Sequence, residues 1–97
     1  MLFRSLRQES PESLLANFFL AQLYSKRNEH AKSLELLEEL VRMSPDFAEA
    51  HFLLGEAYAG MYKNFDAVRC FRRAVELNPD DKRARMMLER YTEDSSF

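Results

Sequence analysis

The side chains able to make or break bonds are few in this chain, and their spacing decides what they can do. His30 and His51 stand 21 residues apart and Cys70 is remote from both, so a zinc ion would find nothing to complete its tetrahedron. With no histidine near it in sequence register, Cys70 reads as a small residue at a helix surface or between helices, not as a nucleophile. Gly55 and Gly60 are the only glycines, too few for a loop that cradles phosphate. The carboxylate pairs Glu38 with Glu39 and Asp80 with Asp81 fall on a helix surface and at a helix start, where solvation and capping account for them. The sequence therefore predicts no enzyme, no catalytic residue, no metal and no cofactor.

Arg69, Arg72, Arg73, Lys82, Arg83, Arg85 and Arg90 form the one group with a claim on nucleic acid. Glu76, Asp80, Asp81 and Glu89 interrupt it, and no ladder of exposed aromatics is present to stack bases, so it reads as an ordinary charged helix face. The net charge of −2, with its signs interspersed, gives no field that would draw in nucleic acid or an anionic membrane. No apolar run approaches the roughly 18 residues of a membrane span. The single cysteine cannot form an internal disulfide, so a reducing, cytoplasmic location is the expectation. Ninety-seven residues, 46% of them apolar and 31% charged, suit one helical domain.

The elements that position these residues are counted out by proline. Pro11, Pro45 and Pro79 are each 34 residues apart, in "SPES", "SPDF" and "NPDD". Proline lacks the N–H and biases its predecessor away from helical geometry, so each marks a break. Between the breaks the pattern predicts paired helices near 14–26 with 30–43 and 47–60 with 65–78, and a last helix near 81–93. The first of each pair, "LLANFFLAQLY" and "FAEAHFLLGEAYA", is apolar almost all round and needs cover on more than one side. The second has one apolar stripe: Leu34, Leu37, Leu40 and Val41, then Ala67, Phe71, Ala74 and Val75. Asn28 and Asn64 are expected to take the left-handed turn within each pair, and Asp66 to cap the helix after Asn64. No strand-like alternation occurs, so the fold class is all α, an inner layer of apolar helices backed by an outer layer of one-sided ones.

His51, Leu54, Gly55, Tyr58, Ala67, Phe71, Ala74 and Pro79 follow the tetratricopeptide repeat pattern, with His51 where tryptophan is usual. Gly55 and Ala67 are small where two helices cross, and Tyr58 and Phe71 fill the space beside the crossing. The preceding unit resembles the family less, keeping Tyr24 and Pro45 but carrying Ala21, Ser33 and Leu37 at the other positions. The resemblance divides the chain into the second helix of a truncated repeat (1–13), two repeats (14–47 and 48–81) and a capping helix with its tail (82–97). One departure stands out: Phe65 lies one place later than the family's turn aromatic, which leaves that turn's geometry open.

The resemblance implies a right-handed superhelix of stacked antiparallel helix pairs, whose first helices line a concave groove for a peptide or helix of a protein partner. Carried onto this chain, the groove positions are Leu15, Phe18, Phe19, Gln22 and Lys26, then Glu49, Phe52, Leu53 and Glu56, then Arg83, Met86 and Arg90. The implied function is a non-enzymatic interaction scaffold. The alternatives are the regulatory or substrate-recruiting arm of a larger enzyme and, third, a helical-repeat RNA binder. Family members that grip chaperone tails use Lys, Asn and Arg on their inner faces; only Arg83 could serve here, so no chaperone-tail carboxylate clamp is expected. Leu2, Phe3 and Leu6 form a stripe without a pairing helix, which predicts weak self-association through the N-terminal helix.

Overall fold

The computed structural model describes residues 11–95 and shows five helices there and no strand. They are α1 (Pro11–Lys26), α2 (His30–Met43), α3 (Ala48–Gly60), α4 (Asn64–Leu77) and α5 (Lys82–Ser95). The N-terminal stripe and the self-association expected of it lie outside the described residues. Helix α1 begins at Pro11, three residues ahead of the sequence expectation. A first-turn N–H has no intrahelical partner to lose, so proline opens a helix as readily as it ends one. Pro45 and Pro79 instead occupy the turns before α3 and α5.

Each helix packs on its neighbour in the chain, and α1 also touches α3. Two cores result. Phe18 and Ala21 of α1, Leu37 and Leu40 of α2, and Ala50 and Leu54 of α3 form the first. Phe52 of α3, Ala67, Phe71 and Ala74 of α4, and Ala84 of α5 form the second. Helix α3 contributes opposite faces to both, which is why its sequence is apolar all round. Helix α1 shares that composition but not that cover: among the described residues its Leu15, Phe19, Leu20 and Leu23 remain exposed.

The small residues sit where backbones approach. A Cβ built on Gly55 would meet the buried ring of Phe71, 2.7 Å from Cε1, and one on Gly60 would run into the ring of His30. His30 is thus a packing residue between α2 and α3. Ser33, at the position equivalent to Ala67, is fully buried; its hydroxyl donates to the Ala21 carbonyl (3.2 Å) and lies 3.0 Å from Ser25 Oγ. A buried hydroxyl left without such partners would be costly. Phe71 is wholly enclosed, whereas Tyr58 is half-buried and its hydroxyl reaches Glu38 Oε2 at 2.9 Å.

Both within-pair turns end their helix in the same way. Glu29 N–H donates to the Tyr24 carbonyl (2.9 Å) and Asn28 N–H to that of Ser25 (3.0 Å); Lys63 and Tyr62 repeat this with Tyr58 (2.9 Å) and Ala59 (3.0 Å). Such Schellman turns need a left-handed residue after the helix. Asn28 supplies it at φ 60°, as expected, but in the second turn it is Tyr62, at φ 62°, and not Asn64. Asn64 is already the first helical residue of α4, and Asp66 makes no side-chain cap there. It pairs instead with Arg69 at 3.7 Å.

Candidate functional site

Alternate helices place one stripe each on a common side. On α3 the residues Glu49, Phe52, Leu53 and Glu56 recur at i, i+3, i+4 and i+7, the spacing that keeps side chains on one helical face. On α5 Arg83, Met86 and Met87 do the same, and Gln22 of α1 faces them. These eight residues line one open concavity of about 400 Å³. Its floor is apolar, and carboxylates and a guanidinium stand at its margin.

Arg83 is the most heavily bonded residue of the groove. Its Nη2 donates to Glu49 Oε1 at 2.6 Å and to Asp81 Oδ2 at 3.1 Å, while Nε donates to Asp81 Oδ1 at 3.2 Å. The guanidinium carbon lies 4.6 Å from the centroid of the Phe52 ring, a cation-π arrangement. Hydrogen bonding to Asp81, then to Glu49, raises its already high pKa further. Asp81 is held low by the same hydrogen bonds, and its Oδ1 also accepts from the Arg83 N–H (3.0 Å) and the Ala84 N–H (3.4 Å), capping α5. Glu56 differs: burial pushes its carboxyl up, with Arg83 pulling the other way and Glu49 adding to the rise.

Of the positions expected to line a groove, the concavity gathers Gln22, Glu49, Phe52, Leu53, Glu56, Arg83 and Met86. Phe18 turns inward instead; it is 8% exposed and packs its ring 4.9 Å from that of Phe47 in the first core. Phe52 is 6% exposed and shows the groove only one surface of a ring whose other contacts are with Phe71, 5.7 Å away. Leu15, Phe19, Lys26 and Arg90 are exposed but stand outside the lining. Two participants were not foreseen. Met87, which packs against the second core as well, shares the 34-residue register of Phe19 and Leu53, which was the signal available. Asp81 reaches the groove only through Arg83, a contact no periodicity announces.

A second concavity, about 380 Å³, lies on the other side of α3 and brings His51 and Cys70 to the same walls. Sequence register separates these two, whereas the antiparallel pairing of α3 with α4 unites them. Their chemistry is quiet nonetheless. Burial pushes the Cys70 thiol up to about 11, and His51 Nε2 lies 2.9 Å from the Pro45 carbonyl. The basic residues nearby are engaged with carboxylates, Arg69 with Asp66 and Arg73 with Glu76 (3.2 Å), so no unbroken cationic strip forms there. Among the described residues no cluster of His, Cys, Asp and Glu could hold a metal, and no helix is long and apolar enough to cross a membrane.

Comparison with known proteins places this geometry in context. Two family models, both described as tetratricopeptide repeat, match residues 48–81 and residues 18–60. Together they take in most of the chain and all of α3. A solved structure titled "MamA RS-1 ArsTM double mutant" superposes with a TM-score of 0.82 at 24% identity, over 96% of this chain and 52% of that one. The chain thus spans about half the length of that structure, and the likeness is one of fold. No curated protein matches the sequence.

Proposed function

Since the chain belongs to the tetratricopeptide repeat family, we propose that it is a non-enzymatic scaffold holding a peptide or helix of a partner protein in the groove across α1, α3 and α5. The observation that supports this reading is the concavity itself: an apolar floor with a polar margin, assembled from three helices that are not consecutive. A surface with apolar centre and charged rim is the ordinary anatomy of a protein-binding site. The exposed thioether of Met86, 67% accessible, adds an adaptable apolar contact at one edge.

The reading is tested by placing a photoreactive phenylalanine analogue at Met86 in the groove and, separately, at Arg72 on the outer face of α4. Irradiation in cell extract should give discrete crosslinked species from position 86 and none from position 72. Equal labelling from both would remove the groove from the function.

A further inference from the structure

We infer that the groove selects a partner segment carrying a lysine or arginine between two apolar side chains, the cation meeting Glu56. The inference rests on the groove reading above and adds the chemistry of what enters. Three charged side chains line the concavity: Glu49, Glu56 and Arg83. Arg83 donates through Nη2 to Glu49 at 2.6 Å and through Nε and Nη2 to Asp81, so two carboxylates share its single charge. Among the described residues that line the groove Arg83 is the cation, and with Glu49 and Asp81 both on it the local charge is net negative, which disfavours an incoming carboxylate.

Glu56 is what remains. It lies one turn along α3 from Phe52 and Leu53, lines the concavity with Met86 and Met87, is half-buried, and among the described residues makes no ion pair or side-chain hydrogen bond. An acidic segment would meet like charge there. A purely apolar one would finish burying a carboxylate without a partner, which costs far more than the same contact with its charge paired. A lysine or arginine does both jobs, since its methylene stem packs on Leu53 and Met86 while its head reaches the carboxylate. Burial raises the Glu56 carboxyl and the nearby Arg83 charge lowers it, so a second cation in the groove would offset the cost of that burial in the same sense.

Three pentapeptides that differ at one position test this on the full chain: acetyl-Ala-Leu-Lys-Leu-Ala-amide, its norleucine analogue and its glutamate analogue. Binding is followed through the NMR signals of the Met86 and Met87 methyl groups. The lysine peptide should reach half-saturation at a concentration about fivefold lower than the norleucine peptide, with the glutamate peptide weakest. In Glu56→Gln the lysine advantage should vanish because norleucine binding tightens once no carboxylate is buried and lysine binding weakens, and added salt should shrink the advantage in the unsubstituted chain. Equal binding of lysine and norleucine, strongest binding of glutamate, or a lysine advantage that survives Glu56→Gln would overturn the charge preference and leave the groove standing. If none of the three moves either methyl signal, the groove reading falls and this inference falls with it.

Discussion

The ring of Phe71 occupies the space that a side chain on Gly55 would need, with Cε1, Cδ1 and Cζ all within 3.0 Å of where a Cβ would stand. Replacing glycine by alanine in a helix interior ordinarily gains about 1 kcal/mol. Here the ring is fully buried between Phe52 and Tyr91, with centroids 5.7 Å and 5.8 Å away, and has no open side to move into. Overpacking of such a site costs about 1–3 kcal/mol. Gly55→Ala should therefore lose about 1 kcal/mol net in urea denaturation; a gain would mean that the ring can step aside.

Tyr62 carries the opposite expectation. It is 91% exposed and holds a left-handed backbone at φ 62°, a conformation that crowds any Cβ. Tyr62→Gly removes that crowding without losing a packed side chain. The thermal midpoint should rise, with about 1 kcal/mol of added stability once glycine's extra unfolded-state entropy is deducted. Unchanged or lowered stability would show that the tyrosine ring makes contacts that matter.

These two positions also show how far the sequence could be read. The proline register and the one-sided stripes of α2 and α4 reveal the helices, because each depends on residues near one another in the chain. Gln22, Glu49, Phe52, Leu53, Glu56, Arg83 and Met86 follow from what the family resemblance implies, carried along the 34-residue register, and not from a pattern of their own. The register cannot separate Phe18 from Phe19: on a helix that is apolar all round, which face is buried depends on neighbours that the helix's own pattern does not contain. Nor does it show Tyr62 in the left-handed place, since tyrosine has no intrinsic preference for it and accepts it only because the helix must end there.

Asp81 makes α5 sensitive to acid. Its hydrogen bonds to Arg83 and to the Ala84 and Arg83 N–H groups hold its carboxyl below the ordinary value of 3.8 in the folded chain. The charged cap therefore contributes fully above pH ~4 and is lost as pH falls through the lower folded value. Asp81→Asn keeps an acceptor at the cap but not the charge. Its stability should trail the unsubstituted chain by about 0.5–1 kcal/mol at neutral pH, and the two should converge once the pH has fallen through the lowered folded value. A gap that stays constant across this range would exclude the charge as its source.

Cys70 should be slow to react. With its thiol pushed up to about 11 by burial, the thiolate fraction at pH 7.5 is about 100-fold below that of a free cysteine. Labelling by a chromogenic disulfide should be slower in the folded chain than in urea by at least that factor. Matching rates would place the thiol in open solvent.

Phe52 serves two structures at once: the surface of its ring beneath Arg83 belongs to the floor of the groove, and the rest is a wall of the second core beside Phe71. The floor is consequently not free to change. A substitution that reshaped it for a different partner would be felt as a folding defect before it was felt as a new specificity. Gln22, Glu49, Glu56 and Met86 carry no such double duty, being at most partly buried. Divergence among relatives that share this groove should therefore concentrate on its rim, where new partners can be recruited by changing charge and length, while the aromatic beneath is inherited unchanged.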